Sequence, residues 1–333
     1  MNEAEDPATN LMVSVIVPVF NVVNFIEAGL TSLSDQKFSQ AWEAILVDDC
    51  STDGSLEICR QLARDYPDKF KLIESSTNGG VSVARNLGLE QAHGRYLMFV
   101  DPDDILPPNA ISSLFEAAEH YAADIVKGNL VLFGESERRP APDQVHSTTL
   151  VTGDDVLTEL FEHARVRGHI AGKMYRRDKF GGIRLPVGVR MAQDLLFFSQ
   201  VFSRAQSLLL LNEDVYEYRK HSGGSTGRKY EKGSYIDWLG AVESAGDFAT
   251  STPQKRAHKC LLVRTMAQIA RECRKIPAAS AAPVLDTIEQ KCRQWKIRLF
   301  DLIVIDRLGL RTISRYIKLQ LALRQIRRNL PRG

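Results

Sequence analysis

The sequence predicts an α/β fold with a parallel sheet, and two observations carry that prediction. Four short apolar runs have the composition of strands buried on both faces, at residues 12–18, 44–47, 70–73 and 96–100. The segments between them carry apolar residues at helical spacing. Strands and helices that alternate in this way form parallel strands joined by right-handed crossovers.

The helices of the first half follow from the same spacing. Apolar residues from 25 to 33 recur at helical intervals, and Asn21 or Asn24 is positioned to cap that helix. Asp53 is expected to cap the helix that comes next. Further helices are predicted at 56–63 and 81–91. Three of the four strands end in polar residues, at the edge where an open α/β sheet binds its ligands.

The second half has a less regular pattern. Helices are predicted at 111–121, 154–165 and 191–202, and strands at 124–133 and 207–211, the second of which leads to residues 216–219. Residues 134–149 hold two prolines and mixed charges, which is typical of a loop. Beyond about residue 230 every sizeable segment has a helical pattern.

Charge is distributed unevenly along a chain whose formal net charge is only +2. Residues 294–333 contain ten Lys or Arg and two Asp, which leaves a net charge of −6 for the preceding residues. The five cysteines are scattered without a Cys-x-x-Cys pair, which suits reduced thiols better than disulfides or a structural zinc. The N-terminus lacks the basic region of a secretory signal, and no segment offers about 18 uninterrupted apolar residues. A cytoplasmic location is therefore expected.

The most distinctive stretch is the apolar run 96–100, which ends in Asp101, Pro102, Asp103 and Asp104. Pro102 has no N–H and a fixed φ, so the strand must end there. Asp101 and Asp103 are two residues apart and leave an extended backbone on the same side. Converging carboxylates repel each other unless a cation lies among them, and a divalent ion that also binds a diphosphate is one candidate. The alternative is a solvated acidic turn before a helix.

Two common nucleotide-binding motifs are absent from the sequence. No Gly-x-Gly-x-x-Gly follows the first strand and no Gly-x-x-x-x-Gly-Lys-Ser/Thr occurs, which argues against dinucleotide-binding and P-loop domains. Four other motifs occur in order: VSVIVPVFN (13–21), VDDCSTDGS (47–55), NGGVSVARNLG (78–88) and GRYLMFVDPDD (94–104). This ordered set resembles the catalytic domain of glycosyltransferase family 2, which has the GT-A fold, a Rossmann-like and mostly parallel sheet flanked by helices.

The resemblance is close over residues 12–115 and looser to about residue 226. With the helical pattern that follows, it implies a flexible N-terminus at 1–11, a catalytic domain at 12–228 and a helical C-terminal extension at 229–333. The catalytic domain would bind the nucleotide through 12–115 and the acceptor through 116–228.

Five residues are expected to contact the nucleotide because they match the family's motifs. In similar enzymes the loop after the first strand packs on the base, which implies that Pro18 and Val19 line the pocket. The acid that reads the uracil N3–H matches Asp49. Arg85 is expected to reach the base or the diphosphate, and Asp101 the ribose side of the nucleotide.

The resemblance also implies a divalent metal, Mn²⁺ or Mg²⁺, as cofactor. Asp103 matches the metal ligand of the Asp-x-Asp motif, and Asp104 is expected to be a direct ligand or to support one. His221 lies in a Gly/Ser-rich loop that can close over a diphosphate and touch the metal or phosphate. The alternative for His221 is an exposed histidine.

A catalytic base is expected at Asp194. In similar enzymes the base is the aspartate of a Glu-Asp pair before an apolar helix, and the matching stretch here is 189–198. Gln193 stands in place of the glutamate, which puts any acceptor-binding role of that carboxylate in doubt. The alternative for Asp194 is a helix N-cap.

The basic tail at 294–333 has apolar residues at helical spacing with Arg and Lys between them. This pattern suits a helix on an anionic membrane surface. It equally suits an apolar face that docks on the catalytic domain or on a second subunit. Nucleic-acid binding is not expected, because no recognised module is present.

The function implied by the resemblance is metal-dependent, inverting transfer of a sugar from a nucleotide-sugar, with UDP expected. The acceptor would be a saccharide or a lipid-linked glycan in surface polysaccharide assembly, at the cytoplasmic face of a membrane. One alternative is a non-catalytic glycan- or membrane-associated assembly protein that keeps the fold. Another is a nucleotidyltransferase, whose Gly-rich signature is missing.

Overall fold

The structure is a computed structural model that describes residues 11–134, 137–162, 166, 169–189, 191–221, 232–273 and 278–294. The chain divides into two units. The first, the sheet unit, comprises Met1–Val156, Ala164–Val187 and Val201–Gly227. The second, the helical unit, comprises Leu157–His163, Gly188–Gln200 and Arg228–Gly333. The basic tail from residue 295 onward lies outside the described residues, as does the loop from residue 222 to 231.

A single sheet carries every strand in the described part of the chain. The strands are β1 (Val13–Val19), β2 (Trp42–Asp48), β3 (Phe70–Glu74), β4 (Tyr96–Phe99), β5 (Ile125–Phe133), β6 (Arg138–Pro140), β7 (Thr149–Thr152), β8 (Lys173–Arg176) and β9 (Ser207–Arg219). Their order across the sheet is β3-β2-β1-β4-β8-β5-β9-β7, and β6 pairs with β5 at the side.

Strand direction decides which ends of the strands lie together. β1 is parallel to β2 and to β4, and β2 is parallel to β3. β8 is antiparallel to both of its neighbours, β4 and β5, while β9 is parallel to β5. Two reversals restore the direction, so β5 and β9 run the same way as β4. The carboxyl ends of β1, β2, β4 and β9 therefore lie along one edge of the sheet.

Ten α-helices are described. They are α1 (Val23–Ser34), α2 (Ser55–Asp65), α3 (Val81–Gln91), α4 (Ala110–His120), α5 (Asp155–Glu162), α6 (Arg177–Phe180), α7 (Gln193–Arg204), α8 (Lys232–Ala245), α9 (Thr252–Glu272) and α10 (Ala278–Gln294). No helix within the described ranges is both long and apolar enough to cross a bilayer.

The α/β class predicted from the apolar runs is confirmed. Every residue of β1 and β2 is buried, as expected of central strands covered on both faces. The main core of the sheet unit includes Val15, Leu46 and Met98 from three adjacent strands, with Leu30 of α1 and Leu114 of α4 among the helical residues in it.

Three features of the sheet differ from the sequence prediction. The predicted loop at 134–149 contains β6 and the first residue of β7. β8 was not predicted, because a four-residue strand that begins and ends with a charged residue lacks an apolar run. β9 is longer than the predicted strand at 207–211, because the polar residues 212–214 that interrupt the apolar pattern are exposed within the strand.

The start of α1 is held by a neighbouring loop rather than by the predicted asparagine cap. Asn21 has a left-handed φ of 49°, and its side-chain oxygen accepts a hydrogen bond from the Thr52 N–H at 2.8 Å. Asp53 accepts from the Val23 N–H at 3.0 Å through one oxygen and from the Ser55 N–H at 3.0 Å through the other. Asp53 thus satisfies donors at the start of both α1 and α2, which ties the two βα turns together.

The helical unit has its own packing. α9 begins with a capping box in which the Ser251 side chain accepts from the Gln254 N–H. Leu262, Met266 and Ile269 recur along α9 at helical spacing and are fully buried. The helical pattern predicted beyond residue 230 is confirmed for the described residues.

A buried carboxylate fixes the amino edge of the sheet. Glu43 of β2 accepts from the Ser14 hydroxyl at 2.7 Å and the His93 N–H at 3.0 Å, and it forms an ion pair with Lys71 at 2.6 Å. Burial alone would raise the pKa of Glu43, but the hydrogen bonds from Lys71, Ser14 and His93 outweigh it and lower the pKa. Three strands and the end of α3 therefore meet at one charged group.

We expect Glu43→Gln to lower the free energy of unfolding by about 2 kcal/mol, because a charged hydrogen-bond acceptor is lost inside the fold. A carboxylate with a lowered pKa stabilises the folded state above its unfolded pKa, and that stability is lost as the pH falls through the folded pKa. Urea unfolding at pH 7 and at pH 3 measures both effects. The exposed Glu57→Gln is the control, and an equal loss in both variants would contradict the prediction.

Candidate functional site

The turn after β4 lies against α1. A Cβ built on Gly29 would be 2.2 Å from the Pro102 carbonyl oxygen, so only glycine lets α1 approach the turn this closely. The turn also pairs with β9 through the backbone, because Ile105 and Glu217 exchange hydrogen bonds at 3.0 and 2.9 Å. The carboxylates of the turn are therefore carried on a backbone that is held from two sides.

Asp104 is the buried member of the three carboxylates. One oxygen accepts from the Tyr216 hydroxyl at 2.7 Å and the other from the Arg219 N–H at 2.7 Å. Its side chain is 1% exposed, and burial together with the charges of Asp101 and Asp103 raises its pKa well above the usual range. Each oxygen thus accepts one hydrogen bond from the protein, and ionisation is disfavoured. The assignment of Asp104 as a direct metal ligand stays a prediction. Its contacts fit the alternative, support of a neighbouring ligand.

Asp103 and His221 face each other at the carboxyl edge. The His221 Nε2 is 2.9 Å from an Asp103 carboxylate oxygen, and the two side chains are 17% and 24% exposed. The His221 ring also packs on Phe25 of α1, with 4.3 Å between ring centroids. The structure therefore brings together two of the three residues that the sequence assigned to a metal site. Among the described residues no group of three or more His, Cys, Asp or Glu could hold an ion.

Arg85 and Asp101 form an ion pair. Arg85 lies on the buried side of α3, and its guanidinium donates to an Asp101 oxygen at 2.7 Å. Asp101 also donates its backbone N–H to the Tyr216 hydroxyl at 3.0 Å. Tyr216 thus links the backbone of Asp101 to the side chain of Asp104, and Arg85 orients the carboxylate of Asp101.

Asp49 holds a glycine loop in place. Its two carboxylate oxygens accept from the N–H groups of Gly79 and Gly80 at 2.8 and 2.7 Å, and its own N–H donates to the Val19 carbonyl at 2.8 Å. Gly80 has a φ of 84°, a conformation that favours glycine. The ends of β1 and β2 and the start of α3 therefore meet at Asp49, which is itself buried.

The end of β1 differs from the prediction for the base pocket. Pro18 and Val19 are both buried within the sheet, and Val19 belongs to the hydrophobic core. Large apolar side chains that are exposed here include Phe20, 45% exposed at the end of β1, and Val81, 41% exposed at the start of α3. Strand alternation could have indicated Phe20, because the side chain after a buried strand is the first that is free to leave the sheet.

Asp194 belongs to the helical unit. It is the second residue of α7, so it follows the helix start rather than preceding it as an N-cap would. Ala192, just before the helix, has a left-handed φ of 59°, an unusual conformation for a residue with a Cβ. The neighbouring Gln193 donates its side-chain amide to the Val189 carbonyl. The assignment of Asp194 as base stays a prediction.

Comparison with known proteins identifies the family. The model of the glycosyl transferase family 2 matches residues 14–184, which is more than half of the chain. The chain belongs to glycosyltransferase family 2. This confirms the family that the four motifs indicated.

Two relatives in Bacillus subtilis show the extent of the likeness. The chain is 33% identical to EpsJ, an uncharacterised glycosyltransferase, over 66% of this chain and 64% of EpsJ. It is 30% identical to TuaG, a glycosyltransferase named for teichuronic acid biosynthesis, over 66% of this chain and 83% of TuaG. The chain spans less than two thirds of the length of the first curated relatives it matches, 33% of one and 64% of EpsJ.

A solved structure shows that the GT-A-type fold expected of a family 2 chain is present. The complex of S. aureus TarS with UDP superposes with a TM-score of 0.66 at 19% identity, over 95% of this chain and 92% of that chain. At this identity the likeness concerns the fold alone. The mostly parallel sheet flanked by helices, with helices at the C-terminal side, is thereby confirmed.

In this family 2 chain we expect Tyr216→Phe to lower the free energy of unfolding by about 1–3 kcal/mol. The substitution removes one hydroxyl and leaves the Asp101 N–H and the Asp104 carboxylate without their buried partner. Guanidinium unfolding followed by circular dichroism measures the loss. The exposed Tyr66→Phe should change stability by less than about 0.5 kcal/mol. Indistinguishable unfolding curves for the two variants would show that the Tyr216 hydroxyl is dispensable.

Proposed function

We propose that this family 2 chain is a metal-dependent, inverting glycosyltransferase that uses a nucleotide-sugar donor, with UDP as the nucleotide. The observation that carries the proposal is the pairing of Asp103 with His221 beside the pair of Arg85 with Asp101. Both pairs lie at the carboxyl edge of the sheet, where open α/β folds bind ligands. The Asp103–His221 pair suits a metal ion, and the Arg85–Asp101 pair suits a nucleotide.

The Asp103–His221 pair fits a divalent ion. A carboxylate oxygen and an imidazole nitrogen are suitable donors for Mn²⁺, and both side chains are partly exposed. Their separation of 2.9 Å is close to the spacing of about 3 Å between adjacent ligands of an octahedral ion. Two protein ligands leave the remaining positions for diphosphate oxygens and water. When bound, the ion would neutralise the charge that develops on the leaving diphosphate.

Asp49 supports the choice of a uracil base. Two backbone N–H groups hold its carboxylate, and each carboxylate oxygen has a second lone pair that can accept from a base. An acceptor of this kind matches a ring N–H donor, which uracil carries at N3 and guanine at N1, and which cytosine and adenine lack. Phe20 and Val81 expose apolar surface on the residues next to these contacts, which suits packing against a base. We therefore assign base packing to Phe20 and Val81, in place of Pro18 and Val19.

Arg85 and Asp101 are proposed to bind the ribose and diphosphate side of the donor. The Arg85 guanidinium holds the Asp101 carboxylate in one orientation. The carboxylate is therefore already ordered before the nucleotide-sugar binds, and binding does not have to supply that ordering energy. A carboxylate held in this way accepts from a ribose hydroxyl. The positive charge of Arg85 also favours the neighbouring diphosphate.

The reaction we propose is a single displacement. The acceptor hydroxyl oxygen forms a bond to the anomeric carbon while the bond from that carbon to the diphosphate oxygen breaks, and the configuration inverts. Asp194 takes the proton of the acceptor hydroxyl as general base. It lies in the first turn of α7.

The biological setting is inferred from the relatives. TuaG is named for teichuronic acid biosynthesis. We infer a saccharide or lipid-linked acceptor and a role in surface polysaccharide assembly for this chain. Association with a membrane through 294–333 and a position on its cytoplasmic face are part of the same proposal.

Donor binding is the first test of this proposal. The full chain is titrated calorimetrically with UDP, GDP, CDP and ADP, each with and without Mn²⁺. We expect UDP to bind most tightly and Mn²⁺ to strengthen its binding. Asp103→Asn should remove the Mn²⁺ dependence, because a charged ligand of the ion is lost, while the exposed Asp68→Asn should keep it. Equal binding of all four nucleotides, or no effect of Mn²⁺, would contradict the assignment.

The role of Asp194 is tested separately from donor binding. We expect Asp194→Asn to lower turnover by about 10²–10⁴-fold, because the amide cannot accept the proton, while UDP affinity stays unchanged. Release of UDP from a panel of UDP-sugars, with a mixture of surface-polysaccharide fragments as acceptors, measures turnover. The exposed Asp286→Asn in the helical unit is the matched control. Full activity of Asp194→Asn would remove Asp194 as the base, and no activity of the unsubstituted chain with any donor would favour a non-catalytic role.

A further inference from the structure

Arg219 contacts the acidic turn through both its side chain and its backbone, and its side chain has no role in the proposed function. Its Nε–H donates to the Asp103 carbonyl at 2.7 Å, and its backbone N–H donates to the Asp104 carboxylate at 2.7 Å. Both contacts join residues more than 100 positions apart in the sequence. One residue at the end of β9 therefore holds two consecutive residues of the turn.

Two aromatic rings fix the guanidinium itself. Its central carbon lies 4.5 Å from the ring centroid of Phe133 and 5.3 Å from that of Phe25. A planar guanidinium can stack on a ring face while its N–H groups form hydrogen bonds in fixed directions. An ammonium is a compact point charge and lacks that fixed geometry. The Phe25 ring also contacts the imidazole of His221 at 4.3 Å. Arg219 and His221 thus share one aromatic neighbour.

We propose that Arg219 is a positioning residue for the Asp103–His221 pair. Its guanidinium fixes the main chain of Asp103, and the shared contact with Phe25 fixes the ring of His221. Together they set the two donor atoms 2.9 Å apart before an ion binds. The inference rests on the metal site of the proposed function and assigns a further residue to it. Arg219 itself does not touch the ion.

Charge and positioning predict opposite results when Arg219 is replaced. Arg219 is a cation close to a site for a cation, so by charge alone its removal should strengthen metal binding. If it positions Asp103 and His221, its removal should weaken metal binding by about tenfold or more, as for other groups that orient metal ligands. The direction of the change therefore separates the two roles.

The experiment titrates the full chain with Mn²⁺ and follows the electron paramagnetic resonance signal of the free ion. Arg219→Gln removes the charge and the planar fork, whereas Arg219→Lys keeps the charge and removes the fork. Both variants keep the backbone N–H that binds Asp104. Lys220→Gln, at the next residue, removes the same charge from a side chain that pairs with Glu137, and it is the matched control. Thermal unfolding of each variant shows that the fold is retained.

We expect both Arg219 variants to bind Mn²⁺ about tenfold or more weakly, and Lys220→Gln to bind it as tightly as the unsubstituted chain or more tightly. Unchanged or tighter Mn²⁺ binding by Arg219→Gln or Arg219→Lys would overturn the inference while the proposed function stands. A chain that binds no Mn²⁺ before any substitution would overturn the metal site of the proposed function, and this inference with it. Mn²⁺ binding by the unsubstituted chain therefore shows whether the metal site itself or only the positioning role of Arg219 is wrong.

Discussion

The attachment of the acidic turn to the end of β9 is the constraint on which the site depends. Without it, a strand that ends at a proline would leave three carboxylates on an unsupported loop. The backbone bridge of Ile105 with Glu217 and the hydrogen bonds of Tyr216 and Arg219 prevent this. β9 can reach the turn because β8 reverses direction between β4 and β5, so that β4 and β9 end at the same edge.

The attachment also solves an electrostatic problem. Three carboxylates within four residues would repel one another if all were ionised, and each has a different partner. Asp101 is paired with Arg85 of α3, Asp103 faces His221, and Asp104 accepts from two donors of β9. The three groups are thereby directed into three environments: an ion pair, a partly exposed pair and a buried network. Asp101 and Asp103 are exposed to a similar extent, 26% and 24%, whereas Asp104 is buried.

Sequence reasoning succeeded where the signal was local. The first four strands and three helices follow from apolar runs and helical spacing, and the four motifs indicate the family that the comparison confirms. The contacts of Tyr216 and Arg219 join segments over 110 residues apart, and no local sequence pattern predicts such contacts. Phe20 was overlooked because the motif directed attention to Pro18 and Val19, whose side chains are in fact buried in the sheet. β8 was missed because charged residues stand at both of its ends.

The late position of β8 in the chain has a consequence for synthesis on the ribosome. β1 to β4 and their helices are complete by residue 99, but the edge of β4 has no partner until Lys173–Arg176 has emerged. A nascent chain therefore carries an open strand edge while β5, β6 and β7 are being made, and such edges pair readily with other chains. When β8 pairs with both β4 and β5, it closes that edge and joins the two parts of the sheet.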